Sequence, residues 1–319
     1  MTAHRIPIKL NPRRRTAGLS LVELMVAMVV GFLILAAMLS AYSSGSSSNA
    51  VNARYAEVQT NGRYAVDFLR REIQQAGFLG INYTGLSNDS TTATTDALCG
   101  SSIQVTNIAQ PIWGANDAKT LTCIADADYS TGDVLVLRRV EPLSTSPTIG
   151  LLGTGSFAAN TAYVRSEFMK ATAFVGTTPP ANVQIPYEDY KLKVDIYYVS
   201  PYTNTAGDGV PALKRLKLGT GPAFTSEVIA TGIENMQIQY GVQTGGAVVF
   251  LNANSVPSIS WPNIVAVRLW VLARSSDRQY EGFSNTSTYA MGDLTGDTAF
   301  TVNDNFVRQL FPLVVQVRK

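Results

Sequence analysis

The chain has 319 residues, 46% of them hydrophobic and 15% charged, with 25 basic and 23 acidic side chains and a formal net charge of +2. This length supports one large domain or two modest ones, and the composition is apolar for a soluble protein. Five of the basic residues, Arg5, Lys9, Arg13, Arg14 and Arg15, precede Leu19 with no acid among them; the remainder holds 20 basic against 23 acidic residues, a net of −3, which excludes a basic nucleic-acid-binding surface.

Residues 1–18 form a short basic leader, and an apolar run from Leu19 to about Tyr42 follows it. The run is uncharged from Leu24 to Leu39 and long enough to cross a bilayer as a helix. A secretory signal places its small-residue cleavage site after the apolar stretch and so discards it. Here Ala17-Gly18 come first, so cleavage after Gly18 removes the leader and keeps the membrane helix on a mature chain that begins at Leu19. The only histidine, His4, goes with the leader. That excludes a Ser-His-Asp triad and a histidine metal site, and it removes the commonest general base near neutral pH. Arg13 to Arg15 place the leader in the cytoplasm and everything beyond Tyr42 outside it.

Glu23 is a lone carboxylate at the head of this apolar helix. An acid in hydrocarbon costs about 3 kcal/mol or more and marks a functional position by default. The helix N-terminus favours a negative charge there. On depth alone, the same residue also fits an anchor whose acid simply reaches the headgroups.

Residues 43–79 continue as a second helical segment. Its opening, Ser43 to Asn49, is rich in serine with one glycine and favours a weakened or bent helix, or a short break. Beyond it Val51, Tyr55, Val58, Gly62, Val66, Leu69, Ile73 and Ala76 recur by threes and fours as one apolar stripe. Arg63, Asp67 and Arg71 follow at spacings of four on another face. Gly77 is the stop signal.

Residues 80–186 are rich in Thr, Ser, Asn, Asp, Gly and Pro, a loop-rich region with short strands and one clear strand over Asp133 to Val140. It contains the two cysteines, Cys99 and Cys123. Lying beyond the span, in an oxidising compartment, they are expected to form a disulfide. Residues 187–319 are more regularly β. Strands are predicted over Leu192 to Val199, Ala212 to Leu218, Asn235 to Val242, Ile264 to Arg274 and Phe306 to Val317. Met236, Ile238, Tyr240 and Val242 share one face, and Val265, Val267, Leu269, Val271 and Ala273 another. The fold class is therefore α+β, a long amino-terminal helix packed by its second half on an antiparallel sheet.

Gly18, Leu19 and Glu23 in register with the apolar run resemble a type IV prepilin signal. The resemblance implies that a prepilin peptidase cuts after Gly18 and methylates the new terminus at Leu19, and that Glu23 pairs with the terminal amine of a neighbouring subunit. Leu19 departs from the phenylalanine usual in main filament subunits. The run Asn61 to Phe78 is similar to the helix of PilW-type minor pilins, as are Ile196 to Val199, Gly232 to Val242, Val265 to Arg268 and the ending Arg308 to Arg318. This implies a non-enzymatic subunit of a tip complex with other minor pilins, the major pilin and a PilY-type adhesin. Such a complex primes pilus assembly from the inner membrane and supports twitching motility, adhesion or DNA uptake.

Other readings are a type II secretion pseudopilin, which shares the signal and the helix, and a surface-anchored adhesive module, for which Trp113 and Trp261 are the candidate exposed aromatics, although burial is the expected place for a tryptophan. An anchored hydrolase suffers from the missing histidine. Acidic stretches at Asp293 to Asp297 and Asn303 to Asn305 offer oxygen ligands for calcium, as Asp126, Asp128 and Asp133 do more weakly. Their spacing fits no known loop, so no metal and no cofactor is assigned. Arg138-Arg139 is expected to be a solvated pair at a strand end, and no glycine loop suits a phosphate.

Overall fold

The computed structural model describes residues 18, 20–81, 88–89, 99, 107–143, 157–181, 186–219, 224–279 and 283–317; Leu19 and the leader through Ala17 lie outside them. The chain divides into two compact units, Met1–Val51 and Asn52–Lys319. A single helix, α1 (Leu21–Gln75), is continuous in hydrogen bonding through the serine-rich segment where a break was one expectation. In the first unit its large apolar side chains, from Leu21 to Tyr42, are exposed. In the second unit Val58, Ala65, Val66, Leu69, Ile73 and Ala76 are buried, so the apolar stripe is realised from Val58 onward, while Tyr55 stays 45% exposed. Asp67 pairs with Arg70 one turn on, at 3.7 Å, rather than with residues four away. The helix stops where Gly77 turns left-handed at φ +81° and gives its N–H to the Arg138 carbonyl at 2.9 Å.

Among the described residues fourteen strands follow in chain order: β1 (Asn88–Asp89), β2 (Ile112–Ala115), β3 (Val134–Pro142), β4 (Ala162–Glu167), β5 (Ala171–Val175), β6 (Tyr187–Ser200) and β7 (Ala212–Leu218). They continue with β8 (Phe224–Thr231), β9 (Ile233–Thr244), β10 (Ala247–Asn252), β11 (Ile264–Arg274), β12 (Thr288–Tyr289), β13 (Phe300–Thr301) and β14 (Arg308–Gln316). An eight-stranded sheet runs β1-β5-β4-β6-β3-β2, with β7 and then β8 added beyond β6. The long β6 makes this possible. One edge pairs with β3, and the other takes β4 along Tyr187 to Lys191 and β7 along Asp195 to Ser200. A four-stranded sheet runs β10-β9-β11-β14, and β12 and β13 make a small hairpin-like pair. Pairing is antiparallel except between β1 and β5.

Period-2 alternation places the core. Leu135, Leu137, Tyr197 and Val199 of the large sheet join Met236, Ile238 and Tyr240 of β9 and Val267, Leu269 and Val271 of β11 around the buried stripe of α1. The alternate residues Val134, Val136, Leu192, Val194 and Ile196 form a second core on the far face of the large sheet, with Val164, Ala171 and Ala173 from β4 and β5. Those two strands lie in the stretch expected to be irregular; each is only five or six residues long and sits among turn signals, so its period was masked. Trp261 is a core residue, and Trp113, partly buried, packs against it rather than lining a groove. Their rings lie 6.1 Å apart, Trp261 is 6% exposed, and Tyr240 meets it edge-on at 4.9 Å. Arg138 and Arg139 are also buried, contrary to the solvated pair expected, because β3 is a central strand.

Candidate functional site

Ser20 begins the helix. Its carbonyl accepts the Leu24 N–H at 3.1 Å, and its hydroxyl oxygen accepts the Glu23 N–H at 3.2 Å, an N-cap that satisfies one of the free donors of the first turn. Ser20-Leu21-Val22-Glu23 has the spacing of a capping box, a signal the sequence reading passed over. Glu23 is thereby fixed in the first turn, exposed, next to the positive end of the helix dipole. Among the described residues no cation pairs with its carboxylate. Gly18 is exposed, and a Cβ there would meet nothing within 4 Å. Leu19 lies outside the described residues. Leu21, at 77% exposed, begins the apolar surface that continues along the helix.

The second half of α1 is clamped to the sheets by polar contacts as well as by its apolar stripe. Arg54 donates to Gln279 at 2.9 Å, Glu57 accepts the Ser276 N–H at 3.3 Å, and Asn61 donates to Thr231 at 3.2 Å. The next residue, Gly62, lets the Phe311 ring of β14 lie against the helix backbone; a Cβ at that position would stand 2.1 Å from the ring.

Glu72 anchors the end of the helix. It accepts from Arg139 of β3 at 2.6 Å and from the Tyr197 hydroxyl of β6 at 2.9 Å, with Arg215 of β7 at 4.0 Å. Asp195 lies in the same network, 3.7 Å from Arg139, 3.8 Å from Lys193 and 3.9 Å from Arg215. Burial pushes the Glu72 carboxyl up, but the bond and charge of Arg139 and the bond from Tyr197 outweigh it and hold it below the usual carboxylate value. For Asp195 burial wins over the three cations, and its carboxyl is raised. The helix is thus tied to β3 and β6 by charge-assisted bonds and faces a further cation on β7.

A second ion cluster fixes the carboxy-terminal strand. Arg308 of β14 grips Glu234 of β9 at 2.5 and 3.0 Å and Asp304 at 2.6 Å through both of its terminal nitrogens. Asp304 is therefore engaged as an ion-pair partner and is not grouped with Asp293 as a calcium ligand; the Asp297 side chain lies outside the described residues. Asp126, Asp128 and Asp133 are likewise separated. Asp126 pairs with Lys119, Asp128 bonds Tyr202 and faces Lys214, and Asp133 is buried between the N–H groups of Asp117 and Ile238. Burial pushes the Asp133 carboxyl up to about 8, against the lowering effect of those two N–H bonds, and the charges of Asp117 and Asp293 add to the rise. Cys99 and Cys123 are joined as a disulfide, and Cys99 packs in the second core.

The helix thus presents a capped, exposed first turn, and its second half is fastened to the sheets at several points. Residues 13–39 match the prokaryotic N-terminal methylation motif, and residues 196–319 match the family model of Type IV Pilus-assembly protein W. No curated protein matches the chain. Among solved structures, a type IV-like pilin from Thermus thermophilus is similar at 12% identity over 83% of this chain and 96% of that one, with a TM-score of 0.35. The family match begins within β6 and takes in the Glu234, Gly232 and Arg308 positions that bind β9, β11 and β14 together. With the methylation motif over the leader and the first part of α1 and the PilW-matched strands closing its sheets, this chain is similar to the PilW-type type IV pilins at both ends.

Proposed function

We propose that the chain is a minor pilin of a type IV pilus, working in a tip complex that primes filament assembly and supports twitching motility, adhesion or DNA uptake. Its partners in this reading are the other minor pilins, the major pilin and a PilY-type tip adhesin. Before assembly it is a single-pass inner-membrane protein with a periplasmic carboxy-terminal domain; afterwards it is at the extracellular tip. The prepilin peptidase cuts between Gly18 and Leu19 and methylates Leu19. The divisions that follow are a leader over 1–18, a filament-core helix over 19–42, a docking helix over 43–79, a variable region over 80–186 and a sheet region over 187–319.

The observation that supports this reading is Glu23. It is held in the first turn by Ser20, beside an exposed apolar helix, with its carboxylate unmatched by any cation among the described residues. In a filament core of like helices an unpaired charge is costly, so the amino terminus of a neighbouring subunit is its natural counter-charge. No cofactor and no catalytic residue is invoked.

The test is mass spectrometry on filaments sheared from the native host. A peptide beginning with methylated Leu19, present in trace amounts beside the main subunit, is the expected result. Processed protein confined to membranes and never found in filaments would overturn the pilus role, and an intact leader would overturn the cleavage site.

A further inference from the structure

Asp293, in the connection between β11 and β14, meets the connection between β2 and β3 over the outer face of β9. Asn116 donates to the Asp293 carboxylate at 2.8 Å, and Gln237 of β9 donates to the Asp117 carboxylate at 2.7 Å. The Asp117 N–H in turn bonds the Asp133 carboxylate at 2.9 Å. The charges that act on Asp133 here come from Asp117 and Asp293, so the meeting point is negative.

Oxygen acceptors are in excess at this point. Gln237 is fully buried, and its Oε1 has no hydrogen-bond partner; Asn116 Oδ1 and Asp293 Oδ1 are buried without partners as well. Turning the Gln237 amide over would set its oxygen against the Asp117 carboxylate, so the orientation is determined by chemistry. In that orientation Oε1 lies 3.2 Å from where a Cβ on Gly292 would stand, which aims it at the loop that carries Asp293. A buried amide oxygen without a donor is costly, and a cation supplies what a donor would.

We propose that Asn116, Asp117, Gln237 and Asp293 bind a calcium ion, with Asp133 positioning Asp117 from behind. Among the described residues no three acidic, histidine or cysteine side chains are grouped to hold a metal by themselves, so the donor set is mixed. Carboxylate and amide oxygens together suit a hard cation, and ligands drawn from two connections and a strand suit the flexible geometry of calcium better than the strict octahedron of magnesium. The ion ties the β2–β3 and β11–β14 connections onto the outer face of β9.

The experiment uses the full chain in detergent, freed of metal by chelator and titrated with calcium chloride, with magnesium chloride as the control. Saturable binding of one ion is expected, with Kd on the order of 10⁻⁴ to 10⁻³ M as in other extracellular calcium modules. At a concentration about 100-fold above Kd the melting temperature should rise by about 5 °C. Asp293→Asn should abolish the rise, and so should Asp117→Asn, whose exposed side chain makes it the safer variant should the first fail to fold. No calcium response in the parent chain, or an undiminished response in Asp117→Asn, would overturn the site. An equal response to magnesium would overturn the assignment of calcium.

Discussion

Replacing Gly62 with alanine tests how α1 is seated on the carboxy-terminal strand. In a free helix this change is favourable by about 0.8–1.0 kcal/mol, because glycine carries the larger entropy cost. Here the new methyl would stand 2.1, 2.5 and 2.6 Å from three carbons of the Phe311 ring, well inside contact distance. The ring must move by more than 1 Å, and overpacking of this kind costs typically ~1–3 kcal/mol. Phe311 is only partly buried and can swing outward, so a middle figure is appropriate: a net loss of about 1 kcal/mol for Gly62→Ala.

The decisive comparison is the same substitution in a Phe311→Ala background, where the obstacle is gone and the helix-propensity gain of about 1 kcal/mol should reappear. The sign of Gly62→Ala therefore reverses, with a coupling energy of about 2 kcal/mol. Urea unfolding of the four proteins followed by circular dichroism measures it. If the two substitutions add within about 0.5 kcal/mol, the ring is not seated on Gly62 and the described packing of β14 on the helix is wrong.

Three further outcomes are expected. Glu72→Gln should cost about 3 kcal/mol by leaving Arg139 buried with only the more distant Asp195, at 3.7 Å, as counter-charge, read from the urea midpoint at neutral pH. Because the Glu72 carboxyl titrates below its unfolded value, its contribution is complete above about pH 4.5 and fades as pH falls through the folded pKa. The gap between parent and Glu72→Gln should thus narrow in acid; a gap independent of pH would contradict the ion-pair account. Replacing Cys99 and Cys123 together by serine should cost about 3.5 kcal/mol in the chain-entropy model for a sequence separation of 24, seen as a lower urea midpoint in the non-reduced protein. Glu23→Ala should leave leader cleavage intact while reducing piliation, scored by immunoblot and by electron microscopy of sheared filaments. Normal piliation would remove the role proposed for that carboxylate.

Some of this protein is written locally in its residues. The glycine, glutamate and apolar run at the amino terminus, the stop at Gly77, and the alternation in β9 and β11 all depend on spacing within one element. A period of 3.6 or 2.0 is visible wherever the element is long enough to repeat it. For the same reason β7 and β11 are found at their predicted bounds, whereas β4 and β5 leave no visible period; six residues between turn signals hold too few repeats.

Other features depend on which distant segments meet, and only the tertiary structure decided them. Arg139 reads as a strand-end charge until β3 is seen to be central and Glu72, 67 residues away, is brought to 2.6 Å. Gly62 reads as one more member of an apolar stripe until Phe311 is found against it. The meeting of Asn116, Gln237 and Asp293 spans 177 residues, and none of the three signals it by its neighbours in the chain. Short-range periodicity reports the face a side chain turns toward. What lies on the other side of that face is set by sheet order and loop closure, which no local window contains.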